Sequence, residues 1–420
     1  MFSFLYTPYP KTKDAIQDLK VKLEEVEFKP TLTVFFLTEE LINDSEKFAS
    51  LVDCESVCMP IEGYITPESI WTRGCLVLLT DAEYELQVFK GTPDEVVDKM
   101  RRAKKGRFNI LIYPLLYPKS RLQALKILIR LRRLYGKYKS DPEYVLERAS
   151  EIYQNELIYP INKMLRPFRD AGVDAVSFNI FPLRMKYGHP IIAVNGKKVG
   201  RGVVVLSFRE RIPSDYTDTL PERGRNLEET KEIIKHEFMI GKEVKVEKKG
   251  IALGHIDGMK LNEFLEAERI AIAKRDLSND LQDKKFLSAS PYALYFLSKE
   301  TMGASSLGLL GYPLEIYPSL FELDSFMDNA IFFAETIRGG LNILKKYFVD
   351  KNFNFYAIDH NMFLMYEEKI HQLKSYIPSY AIFTSYPNYT SHNLKIKLMS
   401  EIENKIYLNL TRTTLFINWI

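Results

Sequence analysis

The chain has three cysteines in 420 residues, Cys54, Cys58 and Cys75. That number is too small and too odd for a disulfide framework, and a reducing cytoplasm is the simplest setting. Cys54 and Cys58 are four apart, but no second Cys or His pair at metal spacing completes a zinc site. They are expected to be buried structural thiols. Histidine is also scarce (His189, His236, His255, His360, His371 and His392), and none falls in a metal-binding spacing. No apolar run approaches the roughly 18 residues of a membrane span. The N-terminal MFSFLYTPYPKTK is apolar but lacks a basic leader and a small-residue cleavage site, so a signal peptide is not expected. Neither sign of charge dominates: the formal net charge is +3, so the whole-protein field requires neither nucleic acid nor membrane. No nucleophile or acid/base constellation stands out, which disfavours an enzyme.

The apolar fraction of 46%, with 13% aromatics, is ample for a buried core. The length favours two or more lobes. Ala15, Ile16, Leu19, Leu23 and Val26 predict a helix over 13–27, ended by Pro30. Thr31–Leu37, TLTVFFL, reads as a central strand. Phe48 and Leu51 follow on a short helix. Cys75–Leu79 is a further buried strand, with Tyr84–Phe89 alternating like its hairpin partner. Asn109–Leu116 is another apolar run. This order predicts a mixed α/β fold. Lys119–Lys139 reads as a helix with Leu122, Leu125, Leu128 and Ile129 on its apolar face, and a second helix runs from Asp141 towards Leu165. Asn195-Gly196 marks a hairpin. Polar residues 209–225 mark the best lobe boundary. The domain reading is an N-terminal helix (1–27), a first lobe (28–212) with a helical insertion at about 119–169, and a second lobe (213–420). Within the second lobe, the Gly/Ser-rich stretch Gly303–Gly311 reads as a loop. A helix follows over 326–347, with strands near 380–384 and 405–417.

Two stretches carry readable chemistry. Arg101–Arg107 and the helix over 119–139 are strongly basic, and Lys126, Arg130, Arg133 and Lys137 share one helical face. They are candidate partner-binding residues, for nucleic acid, anionic lipid or an acidic protein. The second stretch is Glu243–Ile270. Val244 and Val246 alternate with charges as in a strand, Ile251 and Leu253 continue, Asp257-Gly258 marks a tight turn, and Leu261, Phe264 and Leu265 repeat at helical spacing.

That strand, Ile-Asp-Gly and short helix are similar to the opening of the C-terminal half of FIST domains. Other segments resemble the family in the right order. Phe28–Leu37 resembles the first strand. Val57–Ile65 resembles the glycine-containing turn, with Gly63 matching and Cys58-Met59-Pro60 departing from the usual small residues. Trp71–Thr80 resembles the following strand. Gly311–Leu314 and Asn409–Thr411 resemble the later motifs. The similarity runs from Phe28 to the C-terminus. It implies two sheet-containing lobes and an intracellular sensor of a small ligand, an amino acid or related metabolite, signalling through a partner protein. Glu62, Gly63, His255, Asp257 and Gly258 become its candidate ligand-binding residues, Asp257 pairing with a ligand ammonium group. No cofactor is expected. The alternative implied by some relatives is haem, for which His255 is the first axial candidate. The alternative from the residues alone is a nucleic-acid-associated or assembly protein using 101–139.

Overall fold

The computed structural model describes residues 1–114, 121–152, 155–156, 159, 161–180, 191–200, 202–210, 213–218, 226–237, 241–249, 252–259, 263–264, 267, 292–297, 302–306, 331–335, 354–359, 374, 377, 379–384, 387–390 and 414–419. Among these residues, strands fall into three large sheets and two small ones.

The first sheet runs β1 (Phe2–Thr7), β6 (Cys75–Thr80), β2 (Leu32–Leu37), β3 (Glu55–Pro60), β10 (Ala193–Val194) and β11 (Lys197–Lys198). β2 and β3 are parallel. All six residues of β2 are buried, which explains the unbroken apolar run TLTVFFL: a strand covered on both faces has no polar side to show. One face meets α1 (Thr12–Glu24), α2 (Glu39–Ile42) and α3 (Ser45–Ala49). There Phe35, Leu37, Cys58 and Val77 pack on Ala15, Leu19, Leu41 and Phe48.

The other face, with Val34, Phe36, Val57 and Leu78, forms one core with the second and third sheets. The second sheet runs β22 (Pro387–Thr390), β9 (Asp174–Ile180), β8 (Phe108–Pro114), β12 (Gly202–Phe208) and β7 (Tyr84–Lys90). Its far face is covered by α4 (Pro93–Arg102), α5 (Arg121–Lys137), α6 (Pro142–Ile152) and α7 (Ile161–Asp170), through Val97, Met100, Ile127, Leu131, Val145 and Phe168. A Thr92–Glu95 capping box, with Pro93 in the first turn, starts α4. The layers are therefore helix, sheet, sheet, helix, consistent with the mixed α/β expectation.

The third sheet runs β13 (Pro213–Asp218), β23 (Thr414–Trp419), β20 (Phe355–Asp359), β21 (Tyr380–Thr384), β4 (Gly63–Ile65) and β5 (Ile70–Trp71). β4 and β5 come from before residue 212 and the other four from beyond it. In the opposite direction, β22 joins β9 in the second sheet. Strand pairing thus crosses the 212/213 boundary twice. A four-stranded sheet of β14 (Gly241–Val244), β19 (Ile331–Glu335), β17 (Tyr292–Leu297) and β18 (Met302–Ser306) and a hairpin of β15 (Val246–Lys249) and β16 (Ala252–Ile256) complete the strands, and α8 (Leu227–Glu237) precedes them.

Several expectations are corrected. β7 is not the hairpin partner of β6: both edges of β6 are taken by β1 and β2, so β7 pairs with β12 instead. The helix from Asp141 towards Leu165 is two helices, α6 and α7. Pro160 stands between them in the sequence, and proline disfavours helix in the residue before it. The predicted 326–347 helix contains β19. Short apolar runs do not separate strand from helix, and pairing with β14 and β17 decides this one. Gly303 to Ser306 lie in β18 rather than a loop, because β17 offers them a partner edge. The exposed side chains Leu122, Leu125, Leu128 and Ile129 are not the inward face of α5; Ile127 and Leu131 are. The Gly311–Leu314 and Asn409–Thr411 motifs lie outside the described residues, as do His189, His360, His371 and His392.

Gly63 sits where the first and third sheets meet. A Cβ added there would lie 2.7 Å from the Trp71 carbonyl oxygen, a backbone atom that cannot step aside cheaply. Gly63→Ala is expected to cost about 1–3 kcal/mol in urea unfolding, as overpacking does. Gly136→Ala, with nothing within 4 Å in the exposed part of α5, should instead gain up to about 1 kcal/mol. Equal effects would show that Gly63 is not close-packed.

Candidate functional site

The site is built from the end of β3. The parallel pair β2/β3 ends at Leu37 and Pro60, and the parallel pair β20/β21 ends at Asp359 and Thr384. The next two residues join these carboxyl ends. The Ile61 amide donates to the Leu37 carbonyl at 2.9 Å, and the Glu62 amide donates to the Phe383 carbonyl at 3.0 Å. The chain therefore leaves the first sheet at Ile61 and enters the third at Glu62. Gly63 then pairs with Phe383 in β4. Open α/β sheets bind ligands at the carboxyl ends of parallel strands, and here two such ends meet.

Two buried polar residues, Glu62 and Thr384, stand at this seam. Glu62 is only 5% exposed, and a buried carboxylate must be met by donors or a cation. Thr384 follows the residue whose carbonyl takes the Glu62 amide. Its Oγ1 is buried and finds no hydrogen-bond partner, a state that in native proteins calls for an explanation such as water or ligand. Gly63 was singled out from sequence alongside Glu62; Thr384 was not, because a lone threonine at a strand end carries no local signal.

Aromatic packing and one turn hold the seam in place. Phe4 of β1 stacks on Phe355 (5.4 Å between ring centres) and Tyr380 (4.8 Å), linking the first sheet to the third. Tyr64 buries its ring and donates from its hydroxyl to the Thr7 carbonyl at 2.7 Å. Burial pushes that phenol upward. Thr66 closes the turn between β4 and β5, its Oγ1 accepting from the Glu68 and Ser69 amides and the Trp71 indole.

The structure places the other sequence candidates on a different element. Asp257 and Gly258 form the two-residue turn between Ile256 and Met259, at the open end of the β15–β16 hairpin, with φ of +51° and +77°, the left-handed pair that a tight reversal requires. Asp257 is tied twice to Lys245: its amide donates to the Lys245 carbonyl at 2.8 Å, and its Oδ1 accepts the Lys245 amide at 2.7 Å. This clamp breaks the strand expected through Val244 and Val246 into β14 and β15. The Asp257 carboxylate therefore ties its turn to the break between β14 and β15 at Lys245, with Lys242 3.8 Å from Oδ2. His255 faces Glu247 across the hairpin, Nδ1 to Oε2 at 3.1 Å. That contact leaves Nε2 as the nitrogen an axial ligand would use. Glu62 and Asp257 thus lie on separate elements, one before β4 and the other after β16. Among the described residues no three His, Cys, Asp or Glu side chains gather as a metal site.

The thiols are structural in placement. Cys58 and Cys75 lie beneath the α1–α3 layer, burial pushing Cys58 up to about 12 and Cys75 well above its ordinary value. Burial also raises half-buried Cys54, beside Thr33 Oγ1 at 3.2 Å.

Residues 228–338 match the family model described as the AF0772-like protein C-terminal domain. An uncharacterized protein of Archaeoglobus fulgidus is 43% identical over 360 residues, 86% of this chain and 100% of that protein.

Two outcomes follow from the geometry. Asp257→Ala should destabilise the protein by about 1–2 kcal/mol, through loss of the exposed bond to the Lys245 amide and of a residue tolerant of positive φ, whereas Asp257→Asn should stay within about 0.5 kcal/mol. A large loss in Asp257→Asn would mean that charge, not turn geometry, matters. For the thiols, the folded protein holds Cys58 protonated above the ordinary thiol pKa of 9.0, so its contribution is complete below pH 9 and fades as pH rises towards about 12. Iodoacetamide at pH 8 should label Cys54 slowly and Cys58 and Cys75 only after unfolding. Rapid labelling of Cys58 in the native protein would contradict its placement.

Proposed function

The chain belongs to the AF0772-like protein family, and we propose that it is a small-molecule-binding sensory protein of the FIST type. Its ligand, an amino acid or related metabolite, is held at the seam beside Glu62, and a partner protein reads its occupancy. The observation that carries this reading is the buried Glu62 carboxylate at the junction of two parallel-strand ends.

The chemistry is simple. A ligand ammonium group meets the Glu62 carboxylate in a charge-assisted hydrogen bond, stronger than a neutral one and stronger still away from water. The Thr384 hydroxyl, buried without a partner, supplies a donor or acceptor to the same ligand. Gly63 lets the backbone approach closely. In this reading Asp257 and Gly258 shape the turn after β16 and do not touch the ligand.

Signalling follows from the handover between sheets. A ligand shifts an equilibrium only by its differential affinity for two arrangements. Because Ile61 and Glu62 bond to different sheets, a ligand gripping Glu62 acts on both at once. The order of the FIST-like segments along the chain supports the sensory class, and the seam supports the position of the site.

The test is thermal unfolding against a panel of amino acids and related metabolites. A ligand present at about 100 times its Kd should stabilise the protein by about 2.7 kcal/mol, a rise of several degrees. Glu62→Gln should keep the fold by circular dichroism and lose that rise, and Thr384→Val should reduce it. If no compound moves the midpoint, or if Glu62→Gln responds like the parent chain, the reading fails.

A further inference from the structure

We propose that the outer face of α5 docks on an anionic lipid surface. The helix packs inward through Ile127 and Leu131, both nearly fully buried. Its outward face is not the polar one expected of a solvated helix. Leu122 is 62% exposed, Leu125 52%, Leu128 41% and Ile129 40%. Met1, Tyr9, Val21 and Val88 are the other large apolar side chains exposed among the described residues, so half of that set sits on this one helix.

At 3.6 residues per turn, Leu122, Leu125 and Ile129 form one outward stripe, with Leu128 at its edge. Exposed cations accompany it, Lys126, Arg133 and Lys137 along one side and Arg132 between Leu125 and Leu128. Arg130 is spent in an ion pair with Glu156 at 2.6 Å. The helix is about 25 Å long at 1.5 Å per residue. Among the described residues no helix is long and apolar enough to cross a membrane. An aliphatic stripe framed by Lys and Arg is the pattern of a helix lying in the interface, its apolar side chains among the acyl chains and its cations on the headgroups.

Charge selects this occupant over the others. No Asp or Glu occurs between Asp98 and Asp141, so the surface suits one that presents negative charge alone. A second copy docked by the same face would set these cations against each other. Nucleic acid would use the cations, but phosphate contacts give four exposed aliphatic side chains no role. Anionic lipid uses both sets, each cation near the surface adding attraction and each buried methylene adding apolar transfer.

The experiment is co-sedimentation of the full chain with phosphatidylcholine vesicles, with and without phosphatidylglycerol. The protein should bind only the phosphatidylglycerol vesicles, less as salt rises. R132E/R133E and L125S/I129S should each lose about tenfold or more of that binding. Both pairs are exposed, so their melting points should match the parent. No binding to phosphatidylglycerol vesicles at low salt overturns the proposal. So does full retention by L125S/I129S, which would leave plain polyanion attraction. Duplex DNA binding that outcompetes the vesicles would instead make this a nucleic-acid face. A concentration-dependent dimer, by light scattering, that L125S/I129S abolishes would assign the face to a second copy.

Discussion

Two successive amides carry the architecture: Ile61 bonds to Leu37 in one sheet, and Glu62 bonds to Phe383 in another. A strand that changes sheets has only one peptide in which to do so, because each buried amide must find a carbonyl on one side or the other. Much else follows from that constraint. Gly63 must be small where the Trp71 carbonyl passes at close range. Tyr64 then points its hydroxyl to Thr7, and Phe4 reaches across to Phe355 and Tyr380. Residues far apart in sequence, 63–71 and 380–384, become neighbours in one sheet. Contacts of such separation cost chain entropy before they return any stability, so the apolar core beneath them has to be extensive.

Features with a local cause were legible in the sequence. β2 announces itself because burial on both faces removes all alternation. Asn195-Gly196 and Asp257-Gly258 announce tight turns because few residues accept positive φ. The helix start framed by Thr92, Pro93 and Glu95 has an equally local cause, with bonds all within one turn, but was not predicted. What the sequence hid depends on distant partners. β7 alternates as a hairpin strand would, yet β6 has no edge to offer. Ile331–Glu335 is strand because β14 and β17 flank it. The inward side of α5 could not be told from its outward side, since both are apolar. Its periodicity fits two stripes, and only packing shows that Ile127 and Leu131 are the buried one.

The same division applies to the site. Glu62 and Gly63 were marked by the resemblance of 57–65 to the glycine-containing turn of FIST domains, and the structure puts the pair at the exchange between sheets. Asp257 was marked by a turn, and its carboxylate is engaged outside that turn, with the Lys245 amide between β14 and β15. Thr384 carried no mark, because what sets it apart is a buried hydroxyl left without a partner, a property of packing rather than of spelling. The seam and the α5 face make separate demands. One is a buried carboxyl side chain between sheets, and the other an exposed apolar stripe among cations. A ligand at the first and a surface at the second would engage opposite sides of the second sheet's layer.

Residue-resolved amide hydrogen exchange across 55–65 and 380–384 tests the handover most directly. The account predicts that the Ile61 and Glu62 amides exchange as slowly as the centres of β2 and β21, all by the same global opening. Fast exchange at Glu62, or separate opening rates for the first and third sheets, would contradict it.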